Sequence, residues 1–183
     1  MVQSGEPTTL MKLETLLLVA CLATPVFAGE AVLIANPLVD FAAHRKAVFE
    51  VEKLRSTRVV SEAEFLRLTH EPGTIVLDAR SNAMFQRLHL KGAVNLTFPE
   101  FSVETLAKVI PMKTTRVLIY CNNNFKDSPD AFPVKNIAVA LNSSTYVALH
   151  AYGYDNIYEL GPLLEVKTTK LPFEGESLET PRR

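Results

Sequence analysis

Only two of the 183 residues are cysteine. The first, Cys21, lies in an apolar run close to the start. Once that run is removed, Cys121 is the only thiol left, so the folded chain cannot close an internal disulfide. An odd cysteine in an exported protein points to a reactive thiol or an intermolecular pair, with a buried inert side chain as the plain alternative. Charge of one sign is also missing: 19 basic against 20 acidic side chains leave a formal charge of -1. No long-range field therefore draws this chain to nucleic acid or to an anionic membrane. No apolar run approaches the ~20 residues of a membrane span. No repeat, heptad or low-complexity tract interrupts the chain, and 48% apolar with 21% charged residues suits one globular domain with processed or flexible ends. His44, His70 and His150 share no ligand spacing with one another or with Cys121, so neither a metal nor a cofactor is expected.

The start of the chain has the shape of a secretory signal. Met11-Lys12 precedes the run Leu16-Leu17-Leu18-Val19-Ala20-Cys21-Leu22-Ala23, and Val26-Phe27-Ala28 offers small residues at the positions a signal peptidase reads. Residues 1–28 are expected to be removed, with Met11 an alternative true start because the ten residues before it carry no positive charge. Leu18-Val19-Ala20-Cys21 also resembles a lipoprotein box, in which Cys21 would be lipidated and become the mature N-terminus. The expected location is periplasmic, or on a membrane through that one anchor.

Beyond the signal, Asn36-Pro37 reads as a helix cap followed by proline at the first helical position, and apolar spacing carries a lead-in helix to Arg55 within residues 29–58. Ser61 with Glu64 forms a capping-box pattern for a helix through Leu68. Thr74-Ile75-Val76-Leu77-Asp78 and Arg116-Val117-Leu118-Ile119-Tyr120 are continuous β-prone runs, as expected of strands covered on both faces. Ser81 and Ser102 can cap the helices that follow them, at residues 82–88 and 103–110. Ala93-Val94-Asn95-Leu96 reads as a short strand. Asn142-Ser143-Ser144 offers caps for a helix from Thr145 to Tyr152, ended by Gly153, and Asn156 to Leu160 reads as the last strand. Alternating strands and helices predict an α/β fold with a small parallel sheet flanked by helices. Cys121 then falls at the C-terminal end of a buried strand, where such sheets place their ligands.

Three ordered segments resemble the rhodanese-like family of sulfurtransferases. Leu77-Asp78-Ala79-Arg80-Ser81, with Phe85, His89 and Gly92-Ala93, is similar to the family's first conserved block. Val117-Leu118-Ile119-Tyr120-Cys121 resembles its catalytic strand and cysteine. Tyr152-Gly153-Tyr154-Asp155-Asn156-Ile157-Tyr158-Glu159-Leu160-Gly161 resembles its closing turn and strand. The resemblance implies a single rhodanese-like domain over residues 59–166, followed by a tail at 167–183, whose polar end from Gly175 to Arg183 is expected to fray. It also implies that Cys121 takes sulfur from a small donor as a persulfide and passes it to an acceptor thiol or acceptor protein. Asn122, Asn123, Asn124 and Lys126 then become the candidate substrate-binding residues. Asp78, Arg80 and His89 become structural neighbours of the site, the first two as an ion pair or backbone clamp.

The loop after the cysteine departs from that family. Cys121 and Gly153 are 32 positions apart (153 − 121), roughly twice what a compact cradle running straight into its helix would need. The stretch holds no glycine and no arginine. Lys126 is its nearest cation, and Asp127 and Asp130 follow, which would disfavour a thiolate. The three asparagines tolerate left-handed backbone and so could begin an anion-holding nest. Two functions follow: a sulfurtransferase using Cys121, or a non-catalytic rhodanese-fold binding module whose long loop recognises a ligand. A phosphatase-like use of the fold needs an arginine closing the loop, and none occurs from Cys121 until Arg182.

Overall fold

The computed structural model describes residue 34 and residues 36–179. The expected signal and the Cys21 box lie outside the described residues. The chain divides after Asn36, and every element below belongs to the unit beginning at Pro37. Among the described residues, no helix is long and apolar enough to cross a membrane.

Helix α1 (Phe41–Arg58) leads into strand β1 (Val59–Val60). Its cap is Asp40, whose carboxylate accepts from the Ala43 N–H at 2.8 Å, and not Asn36. Pro37 lies in a turn instead. Helix α2 (Glu62–Thr69) follows, with Ser61 Oγ accepting from Glu64 N at 3.3 Å. The Glu64 carboxylate turns away from the cap to pair with Arg67.

Strands β2 (Thr74–Asp78), β4 (Val94–Asn95), β5 (Arg116–Tyr120) and β7 (Ile157–Leu160) join β1 in one sheet of order β1-β7-β5-β2-β4. Every pairing in it is parallel. Successive side chains on a strand point to opposite faces, and both faces of this sheet are covered. Leu77, Val117, Ile119 and Ile157 pack with Val51 of α1, with Leu106 of α4 (Val103–Val109) and with Leu149 of α5 (Leu141–Ala151). Val76, Leu118, Tyr120 and Leu160 pack on the other face with Phe65, Leu68, Phe125 and Phe132. Two-sided burial is why β2 and β5 carry continuous apolar runs, Ile75-Val76-Leu77 and Val117-Leu118-Ile119, rather than alternating.

Between β2 and β4 lie helix α3 (Asn82–Arg87) and strand β3 (His89–Leu90). Ser81 stands at the α3 cap position without a side-chain cap bond, whereas Ser102 does cap α4, accepting from Thr105 N at 3.1 Å. After β5 come a 3₁₀ turn, Asn122–Asn124, and strand β6 (Phe125–Lys126). Helix α5 begins at Leu141, four residues before the expected start, so Asn142 lies in its first turn and not ahead of it.

The chain does not stop at β7 or fray at Gly175. Strand β8 (Leu164–Glu165) pairs with β6, strand β9 (Phe173–Glu174) pairs antiparallel with β3, and a short helix α6 (Glu176–Glu179) follows. Gly175 makes this possible, because with φ +136° a Cβ there would fall 2.7 Å from Arg87 O.

Candidate functional site

The C-terminal ends of β2, β5 and β7 bring together the residues with chemistry. A parallel sheet converges its strand ends on one crevice, which the following loops shape. At the end of β2, Asp78 and Arg80 are both buried. Arg80 Nη2 donates to Asp78 Oδ2 at 2.6 Å and Nε to Oδ1 at 3.0 Å. Its other donors reach Leu88 O at 2.8 Å and Ala131 O at 2.9 Å. Tyr120 donates its hydroxyl to Asp78 Oδ2 at 2.5 Å and accepts from Leu90 N. Burial, with the Asp78 charge adding to it, pushes the Tyr120 phenol well above its ordinary value. The group is therefore a clamp, in which one guanidinium ties β2, the end of α3 and the loop after β6 together. His89 stacks on Phe85 with ring centroids 3.6 Å apart, and its Nδ1 lies 2.7 Å from Phe85 O. Its Nε2 faces Glu174 of β9. His89 is thus part of the β3–β9 ribbon.

Cys121 is a free thiol, 2% exposed, one residue beyond β5. The backbone N–H groups of Asn123 and Asn142 favour negative charge on its sulfur, and Asn124 N–H turns to it from the same turn as Asn123. These donors come from opposite ends of the long loop. Asn123 lies in the turn just after the cysteine, and Asn142 opens α5. Residues 127–140 leave the site and return to it. What a short loop would do continuously is here done by two segments with an excursion between them.

The excursion is held firmly. Ala131 and Phe132 are buried, Phe132 stacks under Arg80 with the guanidinium carbon 4.2 Å from its ring centroid, and Arg80 holds Ala131 O. On the return leg, Asn123 pins Lys135 at two points, accepting from Lys135 N at 2.9 Å and donating to Lys135 O at 3.0 Å.

The asparagines therefore differ from the left-handed nest expected of them. They form a 3₁₀ turn, and the positive φ falls on Asp127, at 67°. The amide of Asn124 is committed to the protein: Oδ1 accepts from Cys121 N and from Asn142 Nδ2, and Nδ2 donates to Leu160 O at 2.8 Å. Asn122 faces a separate cavity of about 690 Å³ with Met84, Phe98, Lys135 and Leu141, and its buried Oδ1 has no partner among the described residues.

Lys126 is not brought to the sulfur. It pairs with Glu165 across the β6–β8 ribbon at 2.8 Å and does not line the cysteine's cavity. Asp127 and Asp130 are likewise absent from that lining. The charges beside Cys121 are instead Arg55 of α1 and Glu159 of β7, which with Asn142 and the thiol line a cavity of about 280 Å³. Arg55 Nε and Nη2 reach the two Glu159 oxygens at 2.6 and 3.0 Å, and Asn142 Nδ2 lies 3.4 Å from Oε1. Burial pushes the Cys121 thiol up, the two N–H donors pull it down, and the Glu159 charge adds to the rise, leaving it above its ordinary value. Glu159 carried a signal in the sequence: it is the one charge in Ile157-Tyr158-Glu159-Leu160, and a carboxylate in a buried strand requires a partner.

The family model for the Rhodanese-like domain matches residues 61–160. The chain belongs to the rhodanese-like family. Solved structures similar to it include a rhodanese-like domain from Anabaena sp., 18% identical over 69% of this chain and 86% of that one, with a TM-score of 0.49. A rhodanese with anions from E. coli is 23% identical over 56% of this chain and 99% of that one, with a TM-score of 0.39. A thiosulfate sulfurtransferase from Pseudomonas aeruginosa is 17% identical over 73% of this chain but 23% of its own length, with a TM-score of 0.44. No curated protein sequence matches the chain. The rhodanese-like match begins after Arg55, so one wall of the Cys121 cavity is supplied from outside it. Among the described residues, no cluster of three His, Cys, Asp or Glu side chains could hold a metal ion.

Proposed function

We propose that this protein is a sulfurtransferase that carries sulfur as a persulfide on Cys121. The observation that supports it is the convergence of the Asn123 and Asn142 N–H groups on the cysteine sulfur inside a cavity. Backbone donors fixed in this way stabilise negative charge on sulfur and need no reorganisation when it forms. The Cys121 thiol first gives up its proton. The thiolate then attacks the outer sulfur of a donor, so that a bond from Sγ to that sulfur forms and the donor's own S–S bond breaks. The departing fragment takes the electron pair. An acceptor thiolate repeats the displacement and returns Cys121 to a thiolate, with no external oxidant or reductant consumed. The partners are a small sulfur donor and a thiol acceptor or acceptor protein. The signal-like start supports a periplasmic setting, or one on the membrane through a lipidated Cys21.

A second reading is a binding module of the same fold. It is favoured by the burial of Cys121, by its raised thiol and by the larger cavity beside Asn122. Intact mass after incubation with a sulfur donor and removal of the excess separates the two. A gain of one sulfur that is lost in Cys121→Ser supports the carrier. An unchanged mass with every donor supports the binding module.

A further inference from the structure

A relay of polar side chains runs from the lead-in helix to the cysteine. Arg55 grips both Glu159 oxygens, through Nε at 2.6 Å and Nη2 at 3.0 Å. Glu159 Oε1 accepts in turn from Asn142 Nδ2 at 3.4 Å, and the same Nδ2 donates to Asn124 Oδ1 at 3.0 Å. Asn124 Oδ1 also accepts from Cys121 N at 2.9 Å, while its Nδ2 is tied to Leu160 O. Glu159, Asn142 and Asn124 are all buried, so each partner lost from the relay leaves a costly orphan. The relay reaches the sulfur through Asn142, whose backbone N–H favours negative charge there. The first N–H groups of a helix have no intrahelical partner, and Ala140 stands at the cap position of α5 without a side-chain cap bond. The aim of the Asn142 N–H is therefore set by what fixes Asn142 itself, and that is its amide, held between Glu159 and Asn124.

A carboxylate as buried as Glu159 requires a partner. Arg55 supplies it from α1, a helix wholly outside the residues 61–160 that match the family. We propose that Arg55 is a positioning residue for Cys121: it holds Glu159 against Asn142 and so keeps the Asn142 N–H on the sulfur, a role that draws on the persulfide reading only in taking the Cys121 thiolate as the reacting species. The lead-in helix is then part of the site. The charged groups that bear on the sulfur are Glu159 of β7 and Arg80 at the end of β2. Those around Glu159 are Arg55 and the Tyr146 phenol of α5, which burial pushes up to about 12 and so keeps neutral, with Arg58 and Tyr158 facing that phenol. Removing the Arg55 guanidinium leaves Glu159 without its ion-pair partner. The freed charge and a displaced Asn142 N–H then both disfavour the thiolate.

The test is the pH profile of alkylation in the whole folded chain, followed on the peptide that carries Cys121, with folding checked by the denaturation midpoint. In Arg55→Met the profile should move to higher pH. Alkylation at a fixed pH below the thiol value should be about tenfold slower than in wild type, the ratio for a like charge left unpaired beside an ionising group. Arg55→Met combined with Glu159→Gln strands no charge and keeps an amide oxygen for Asn142 Nδ2, so its profile should return to that of wild type or below. Asn142→Ala retains the backbone N–H and the Arg55–Glu159 pair but cuts the relay, and it should also slow alkylation. A folded Arg55→Met with the wild-type profile overturns the proposal, since a merely structural tether lowers the midpoint without moving the thiol. A double variant as slow as Arg55→Met overturns it too, because the effect would not then pass through Glu159. Where Arg55→Met does not fold, Asn142→Ala decides, and an unchanged profile there breaks the relay. The carrier is read separately, by the mass gain from a sulfur donor. A shifted profile with no mass gain removes the carrier and leaves Arg55 in its positioning role, and a mass gain with an unchanged profile does the reverse.

Discussion

Arg80→Met is the substitution that bears most directly on how this rhodanese-like domain accommodates its long loop. The methionine keeps much of the apolar stem volume but removes every donor of the guanidinium. Asp78 would then keep only Arg80's own backbone N–H, at 2.9 Å, and the Tyr120 hydroxyl. Removing one partner of a buried ion pair costs about 3–5 kcal/mol, chiefly because the other charge is stranded. The carbonyls of Leu88 and Ala131 also lose their donor, at about 1 kcal/mol each where water does not replace it. The expected loss is about 5–7 kcal/mol, a large part of the ~5–15 kcal/mol available to a domain. With a urea slope of ~2 kcal/mol/M, the midpoint should fall by about 2.5–3.5 M. Adding Asp78→Leu strands no charge, so the double variant should be more stable than Arg80→Met alone, with a coupling of at least ~1 kcal/mol. Residues 127–140 should also become more open to protease in the single variant, since Ala131 O would lose its tether. A midpoint shift equivalent to under ~1 kcal/mol, or a double variant worse than the two singles combined, would refute the clamp.

Ile119→Ala, at the fully buried centre of β5, should cost about 2–5 kcal/mol through lost burial and a residual cavity; an unchanged denaturation midpoint would mean that the strand is not central. Because burial holds the Cys121 thiol above its ordinary value, the unfolded chain loses that proton first. Stability should fall as pH rises from the ordinary thiol value of about 8.5 toward the higher folded value, and Cys121→Ser should remove that slope. Alkylation of the native thiol should accelerate only above the same ordinary value, and fast alkylation near neutral pH would contradict the burial argument. Export predicts a mature chain beginning near Gly29, or a lipidated Cys21; mass analysis of protein from the native host that found Met1 or Met11 retained would reject both.

The parts of this molecule legible in the sequence are those set by local pattern. Apolar runs at 74–78 and 116–120 announce buried strands because both faces of the sheet are covered, and the position of Cys121 at the end of the second run follows from that alone. Gly153, at φ +84°, closes α5 as its position suggested. What the sequence concealed is long-range. The stretch from Cys121 to Gly153 reads as too long for a compact cradle, since linear distance suggests spatial distance. A buried pair of aromatics, an arginine tether and the two-point Asn123–Lys135 contact fold the excursion back on itself. Asn142 therefore returns to the sulfur that Asn123 already faces. Charge misled for the same reason. Lys126, Asp127 and Asp130 are near Cys121 in sequence, yet Lys126 is drawn off by Glu165, a partner available only because β6 pairs with β8. The parallel register that sets Ile119 beside Glu159, and Glu159 beside Val59, places that carboxylate one strand from the cysteine, and the end of α1 supplies its guanidinium. The carboxylate that adds to the burial of the thiol thus lies 38 positions away in the chain (159 − 121), and the guanidinium that pairs with that carboxylate lies 66 positions from the cysteine (121 − 55), both set there by sheet order rather than by the loop that carries the cysteine.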